Sequence, residues 1–155
     1  NVISGNSFEG VILFGPATGN VIAGNLIGTD KGGALARPNA NGVVLTGGAN
    51  ANTVGGTTAA DRNVIGGNTG VGVLVQDSGA NNNVVQGNYI GTNAAGSAAV
   101  ANVVGVEIRN GATGNFVGGG NVAGAGNLIS GNTNQGVLIT ADSNKVQGNV
   151  IGLDA

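Results

Sequence analysis

Three short phrases return in fixed order about every 31 residues, and this repeat restricts the chain to a stack of similar coils. Phrase A, Asn-x-[Ile/Val]-x-Gly, begins at Asn20, Asn52, Asn83, Asn115 and Asn144, in steps of 32, 31, 32 and 29. Phrase B, Asn-[Val/Leu/Tyr]-Ile-[Gly/Ser], begins at Asn1, Asn25, Asn63, Asn88, Asn127 and Asn149. Phrase C, Gly-Val-x-[Leu/Ile/Val], carries Val11, Val43, Val73, Val106 and Val137, in steps of 32, 30, 33 and 31. The spacing between phrases alternates. From A to B it is 5, 11, 5, 12 and 5; from B to C it is 10, 18, 10, 18 and 10. Long loops therefore fall after B in one coil and between A and B in the next, and the full unit is a double coil.

Each phrase is three to five residues long and apolar at every second position, the period of a strand. Val and Ile dominate and suit a pleated, half-buried surface. Gly, Asn, Asp and Thr punctuate the intervals and would break helices. Strands that recur in the same order must stack parallel, and the crossover rule makes the winding right-handed. The fold expected is all-β: a right-handed parallel β-helix, or solenoid, of about five coils with three short strands per coil and alternating long loops. Residues 1–155 form one domain. The inward rows are homogeneous: Ile22, Val54, Val85, Val117 and Val146; Ile3, Ile27, Ile65, Ile90, Ile129 and Ile151; the five phrase-C valines; and Leu13, Leu45, Val75, Ile108 and Ile139. The asparagines that open A and B are expected to form ladders, each amide bonding to the next coil.

Composition narrows the function classes. Five Lys and Arg against seven Asp and Glu give a net charge of −2, which is no footprint for nucleic acid. No cysteine and no histidine are present, so thiolate metal sites, disulfides and a Ser-His triad are excluded, and no cofactor is expected. No apolar run is long enough for a membrane span. No signal peptide is visible and the chain opens on Asn1, so the sequence reads as a segment of a longer array or a self-stacking subunit.

The strings NVISGN, NVIAGNLIGTD, NVVQGNYIGTN and NLISGN resemble the repeats of bacterial right-handed β-helix proteins of the pectate-lyase-like superfamily. The resemblance spans essentially the whole chain. It implies the fold and an extracellular or cell-surface location. The superfamily hosts lyases, hydrolases and non-catalytic surface modules, so function must be argued from the site.

Polysaccharide chemistry on such a fold needs carboxylates close together, about 5–9.5 Å apart for hydrolysis. The carboxylates here are dispersed. Glu9 precedes a C strand and Asp61 lies in a loop beside Arg62. Asp30 and Asp154 follow B strands at a phase where Asn93 also sits, as a turn residue would. Asp77 and Asp142 follow C strands two coils apart, roughly 9–10 Å. The polar-site candidate is Asp77, Glu107, Arg109 and Asp142, with a surface ion pair as its simpler reading. Thr29 and Thr92 share a phase that an ice-binding face could use, but Leu153 takes the next place.

The outward positions are apolar. In strand C they are Ile12, Val44, Leu74, Glu107 and Leu138, a candidate contact stripe. In strand B they are Leu26, Val64, Tyr89 and Leu128, a second row that the long loops could cover. Repetition, low charge and apolar outer rows point to a non-enzymatic structural or adhesive module. It is expected to self-associate by coil-end or lateral contacts, or to join flanking repeats. The alternatives are a polysaccharide-binding or polysaccharide-degrading β-helix protein and an ice- or surface-binding solenoid.

Overall fold

A computed structural model of the chain describes residues 1–152. Leu153 and Asp154 lie outside the described residues. Phrase B builds a six-stranded parallel sheet of β1 (Val2–Ile3), β4 (Leu26–Ile27), β7 (Val64–Ile65), β10 (Tyr89–Ile90), β13 (Leu128–Ile129) and β16 (Val150–Ile151), in that order. Phrase C builds a five-stranded sheet of β2 (Val11–Phe14), β5 (Val43–Thr46), β8 (Val71–Gln76), β11 (Val104–Arg109) and β14 (Val137–Ile139). Phrase A builds another from β3 (Val21–Ile22), β6 (Thr53–Gly55), β9 (Val84–Gln86), β12 (Phe116–Gly118) and β15 (Lys145–Gln147). No helix occurs among the described residues. The three sheets form a β-solenoid of about four turns with a repeat of about 31 residues. The sequence count of about five coils includes the partial coils at the two ends.

The register follows the inward rows. Ile27 pairs with Ile65, Ile65 with Ile90, and Ile90 with Ile129. All four side chains are fully buried. Val43, Val73 and Val106 stack likewise, as do Leu45, Val75 and Ile108. Full burial of each such side chain contributes roughly 1.5–3 kcal/mol. Gly105, which opens one phrase C, is required by close approach. A Cβ there would lie 2.4 Å from the Gly136 carbonyl oxygen and 2.7 Å from Ile129 Cγ2. The backbone passes the corner with no room for a side chain.

Three asparagine ladders, not two, run along the axis. The expected pair joins Asn1, Asn25, Asn63, Asn88, Asn127 and Asn149, and Asn20, Asn52, Asn83, Asn115 and Asn144. The third joins Asn6, Asn39, Asn68, Asn102 and Asn132 at the corner between the B and C sheets. Asn88 shows the unit. Its Oδ1 accepts from Asn63 N at 3.3 Å and Asn63 Nδ2 at 2.8 Å. Its Nδ2 donates to Val54 O at 2.9 Å and Asn127 Oδ1 at 3.0 Å. Both donors and both lone pairs are used in a buried site, so the amide costs nothing in lost hydration.

At tight corners the residue before the ladder asparagine is left-handed. Gly87, at φ 66°, precedes Asn88. Ala51, Asn82 and Ser143 hold the same conformation before Asn52, Asn83 and Asn144, at φ 53°, 55° and 60°. A side chain there works against an intrinsic cost of roughly 1–2 kcal/mol.

Asn88→Asp tests the ladder. The carboxyl loses both donors and faces the Val54 and Asn127 oxygens inside the corner. The expected loss is about 3 kcal/mol or more in a thermal or urea melt. Asn134→Asp, exposed and outside the ladders, is expected to leave the melt unchanged. Equal effects from the two variants would show that the amide network contributes little.

Candidate functional site

The C sheet carries the polar candidates on its outer face. Val44, Leu74, Glu107 and Leu138 lie in register, and Thr46, Gln76 and Arg109 form the next outward row. Arg109 bridges the rows. Its Nη1 lies 3.2 Å from Glu107 Oε1, the one salt bridge among the described residues. Its Nε and Nη2 donate to Gln76 Oε1 at 3.0 and 2.9 Å. Asp77 joins this row at its other end: its Oδ2 accepts from Thr46 Oγ1 at 2.5 Å, and that hydroxyl accepts from Gln76 Nε2 at 3.5 Å. Asp142 is exposed, and its backbone carbonyl accepts from Asn144. Three of the four expected residues thus lie along one line of contacts, Glu107 to Arg109 to Gln76 to Thr46 to Asp77, and Asp142 stands apart.

The expected contact stripe is not an open apolar surface along its length. Ile12 is 50% exposed and Leu138 half-buried, but Val44, Leu74 and Glu107 are only 3%, 4% and 8% exposed. Coils roughly 4.8 Å apart close neighbouring side chains over one another. The row of Thr46, Gln76 and Arg109 flanks them. Inner coils therefore bury an outward row that an end coil leaves open.

In the B sheet, Val64 and Leu128 are buried, whereas Leu26 and Tyr89 are half-buried. The long loops close on this row from its sides. The Arg62 guanidinium lies over the Tyr89 ring, 4.1 Å from its centre. Gly33 sits so near Leu26 that a Cβ would lie 3.3 Å from Leu26 Cδ2. Gly33 also accepts from the Ala94 amide at 2.9 Å, so loops two coils apart stack tip to tip. Asp61, beside Arg62 in sequence, accepts instead from Thr58 N and Oγ1.

The post-B loops share one design. Asp30 Oδ1 accepts from the Ala34 and Leu35 amides at 2.9 and 3.1 Å. Asn93 Oδ1 does the same for Ser97 and Ala98 at 3.0 and 3.4 Å. The Leu35 and Ala34 amides, helped by Arg37, hold the Asp30 carboxyl below its ordinary range. Thr29 and Thr92 are buried at the base of these loops and bond to the Asp30 and Asn93 carbonyls. They form no surface row.

A concave polar groove of about 640 Å³ crosses the outer A sheet. Phe116, Asn82, Asn121, Ser143, Lys145 and Gln147 line it. Sequence reading missed it. The outward pairing of Phe116 with Lys145 was legible in phrase A, but the position of the loop carrying Asn121 was not. A smaller recess of about 270 Å³ lies beside Tyr89, Leu128 and Val150. No group of three His, Cys, Asp or Glu positioned for a metal occurs among the described residues. No helix of the described chain is long and apolar enough to cross a membrane. No family model, curated protein or solved structure matches the chain.

The depressed Asp30 pKa fixes a sign. Stabilisation from the ionised loop cap is fully present above the ordinary carboxyl pKa and is lost as pH falls through the lowered folded value. Asp30→Asn, which copies Asn93, is expected to keep the loop and remove this acid dependence. Amide hydrogen exchange at Ala34 and Leu35 across the acid range measures it. An unchanged pH profile in the variant would contradict the assignment.

Proposed function

We propose that the chain is a structural, adhesive β-solenoid module of an extracellular or cell-surface bacterial protein, built to continue along its own axis. The observation that carries this reading is the common polarity of the ladders. In all three, the amide of an earlier coil donates to Oδ1 of the next. Among the described residues, Oδ1 of Asn1, Asn6 and Asn20 accepts no bond, so the first coil presents three acceptors. The last presents the backbone N–H groups of Asn132, Asn144 and Asn149, which donate to nothing among the described residues, while their Nδ2 groups turn to carbonyls of their own and the preceding coil. These end faces fit another coil of the same kind, from the same chain or from a second copy. Exposed Phe8, Ile12, Phe14 and Val21 on the first coil add apolar surface for such a contact. The location rests on the resemblance of the repeat phrases.

Light scattering and negative-stain microscopy over a concentration series test axial assembly. Rods that lengthen with concentration are expected, and the double variant Asn132→Asp/Asn149→Asp is expected to shorten them. A wild-type chain that stays monomeric and non-adherent at high concentration would sink the reading.

A second reading, polysaccharide binding, is favoured by the groove over Phe116. Amides, a hydroxyl and an ammonium beside an aromatic side chain match the hydroxyl and carboxylate groups of an acidic glycan. Retardation in gels containing polygalacturonate, reduced in Lys145→Glu and Phe116→Ala, is the expected result. No retardation of the wild-type chain would count against it.

A further inference from the structure

We propose that Asn110–Gly111 is a site of spontaneous covalent modification in the folded chain, where Asn110 deamidates through a cyclic imide. The sequence has two Asn-Gly steps, Asn41–Gly42 and Asn110–Gly111. Such a step is chemically poised because glycine leaves the approach to its amide nitrogen unhindered. The fold treats the two steps differently.

Asn41–Gly42 is locked. Asn41 Oδ1 accepts from the Val71 amide at 2.8 Å, which pins the side chain. The Gly42 amide, which would have to act as nucleophile, donates to Val71 O at 2.9 Å. Gly42 is buried, and a Cβ there would lie 2.4 Å from Gly72 O and 2.7 Å from Ile65 Cγ2. Ring closure at Asn41 needs the coil to open first.

Asn110–Gly111 is free. Both residues are exposed at the corner after β11. Neither the Asn110 side chain nor the Gly111 amide has a hydrogen-bond partner among the described residues. One bond closes the turn, from the Ala112 amide to Arg109 O at 3.2 Å. A Cβ on Gly111 would meet nothing nearer than 3.9 Å, so no neighbouring coil crowds the glycine.

The chemistry balances with water alone. The Gly111 nitrogen attacks Asn110 Cγ, a C–N bond forms, the Cγ–Nδ2 bond breaks, and ammonia leaves with the proton from the attacking nitrogen. Water then opens the ring. Breaking the bond at Cγ gives an aspartyl residue; breaking it at the main-chain carbonyl gives the β-linked isomer.

The neighbouring coil shows what the first product would do. Gln76 pairs with Arg109, so Asp77 and Asn110 occupy one phase in adjacent coils. Asp77 adopts φ 75° and Asn110 φ 54°, so the corner already accommodates an aspartyl residue. Modification would set a second carboxylate about 4.8 Å along the axis from Asp77. Among the described residues no other two carboxylates occupy one phase in adjacent coils. The β-linked product would add a methylene to the corner leading to Asn115, a ladder residue.

Peptide mapping by mass spectrometry after incubation at mildly alkaline pH tests this. In the folded chain, a gain of about one mass unit is expected at Asn110. It should form at least roughly tenfold faster than at Asn41, whose reaction requires local opening. In denaturant the two steps should react at similar rates. Asn110→Gln should abolish the gain, and Gly111→Ala should slow it. The proposal is overturned if Asn41 reacts as fast as Asn110 in the folded chain. It is equally overturned if Asn110 stays intact there while reacting in denaturant.

Discussion

The rest of the structure depends on an amide that donates and accepts along one line. A coil that turns three times must leave backbone groups at its corners that no strand can satisfy. In this chain a side-chain amide at each corner takes the backbone N–H of the coil before, bonds that coil's amide, returns one hydrogen to a carbonyl of that coil and passes the other onward. Asparagine alone among the short side chains has two donors and two acceptor lone pairs in one rigid plane. Serine lacks a second donor, aspartate lacks both, and glutamine carries a further methylene that the tight corner cannot seat. Once the ladder is in place, register is fixed at three points per turn. A one-residue slip would turn every isoleucine out of the core.

That fixing of register explains how long loops can be inserted without disturbing the stack. Residues 30–37 and 93–100 bulge after a B strand, and residues 56–62 and 119–126 before one. In each case the chain returns to a ladder asparagine: Asn39, Asn102, Asn63 or Asn127. The loops carry most of what varies around the solenoid. Asp30 and Asn93 cap equivalent turns, Arg62 stacks on Tyr89, and Asn121 borders the groove over Phe116. The core is repetitive and the loops are not, so any specific contact is more readily built from loops and their flanking faces.

The sequence made legible whatever repeats at constant phase. The strands, their parallel order, the isoleucine row and two of the ladders could be read from spacing alone. The third ladder was hidden because its asparagines lack a constant neighbour. Asn6, Asn68 and Asn132 follow glycine, whereas Asn39 follows Pro38 and Asn102 follows Ala101. The consistent signal was their distance of three or four residues to the glycine of phrase C. Burial of Val44 and Leu74 was not legible, because it depends on side chains from neighbouring coils and from the adjacent outward row. Period two assigns a side chain to a face but does not determine how crowded that face is.

The same residue type therefore has opposite chemistry in this chain according to what surrounds it. Asn88 is inert because both of its donors and both of its lone pairs are committed inside a packed corner. Asn82, left-handed and exposed, carries no ladder bond and borders a groove. Asn110, also left-handed, stands beside an unhindered glycine amide. Amide content alone says nothing of function in such a solenoid. The asparagines with unspent hydrogen-bonding capacity lie at its corners and ends, where another coil, a ligand or a chemical reaction can use it.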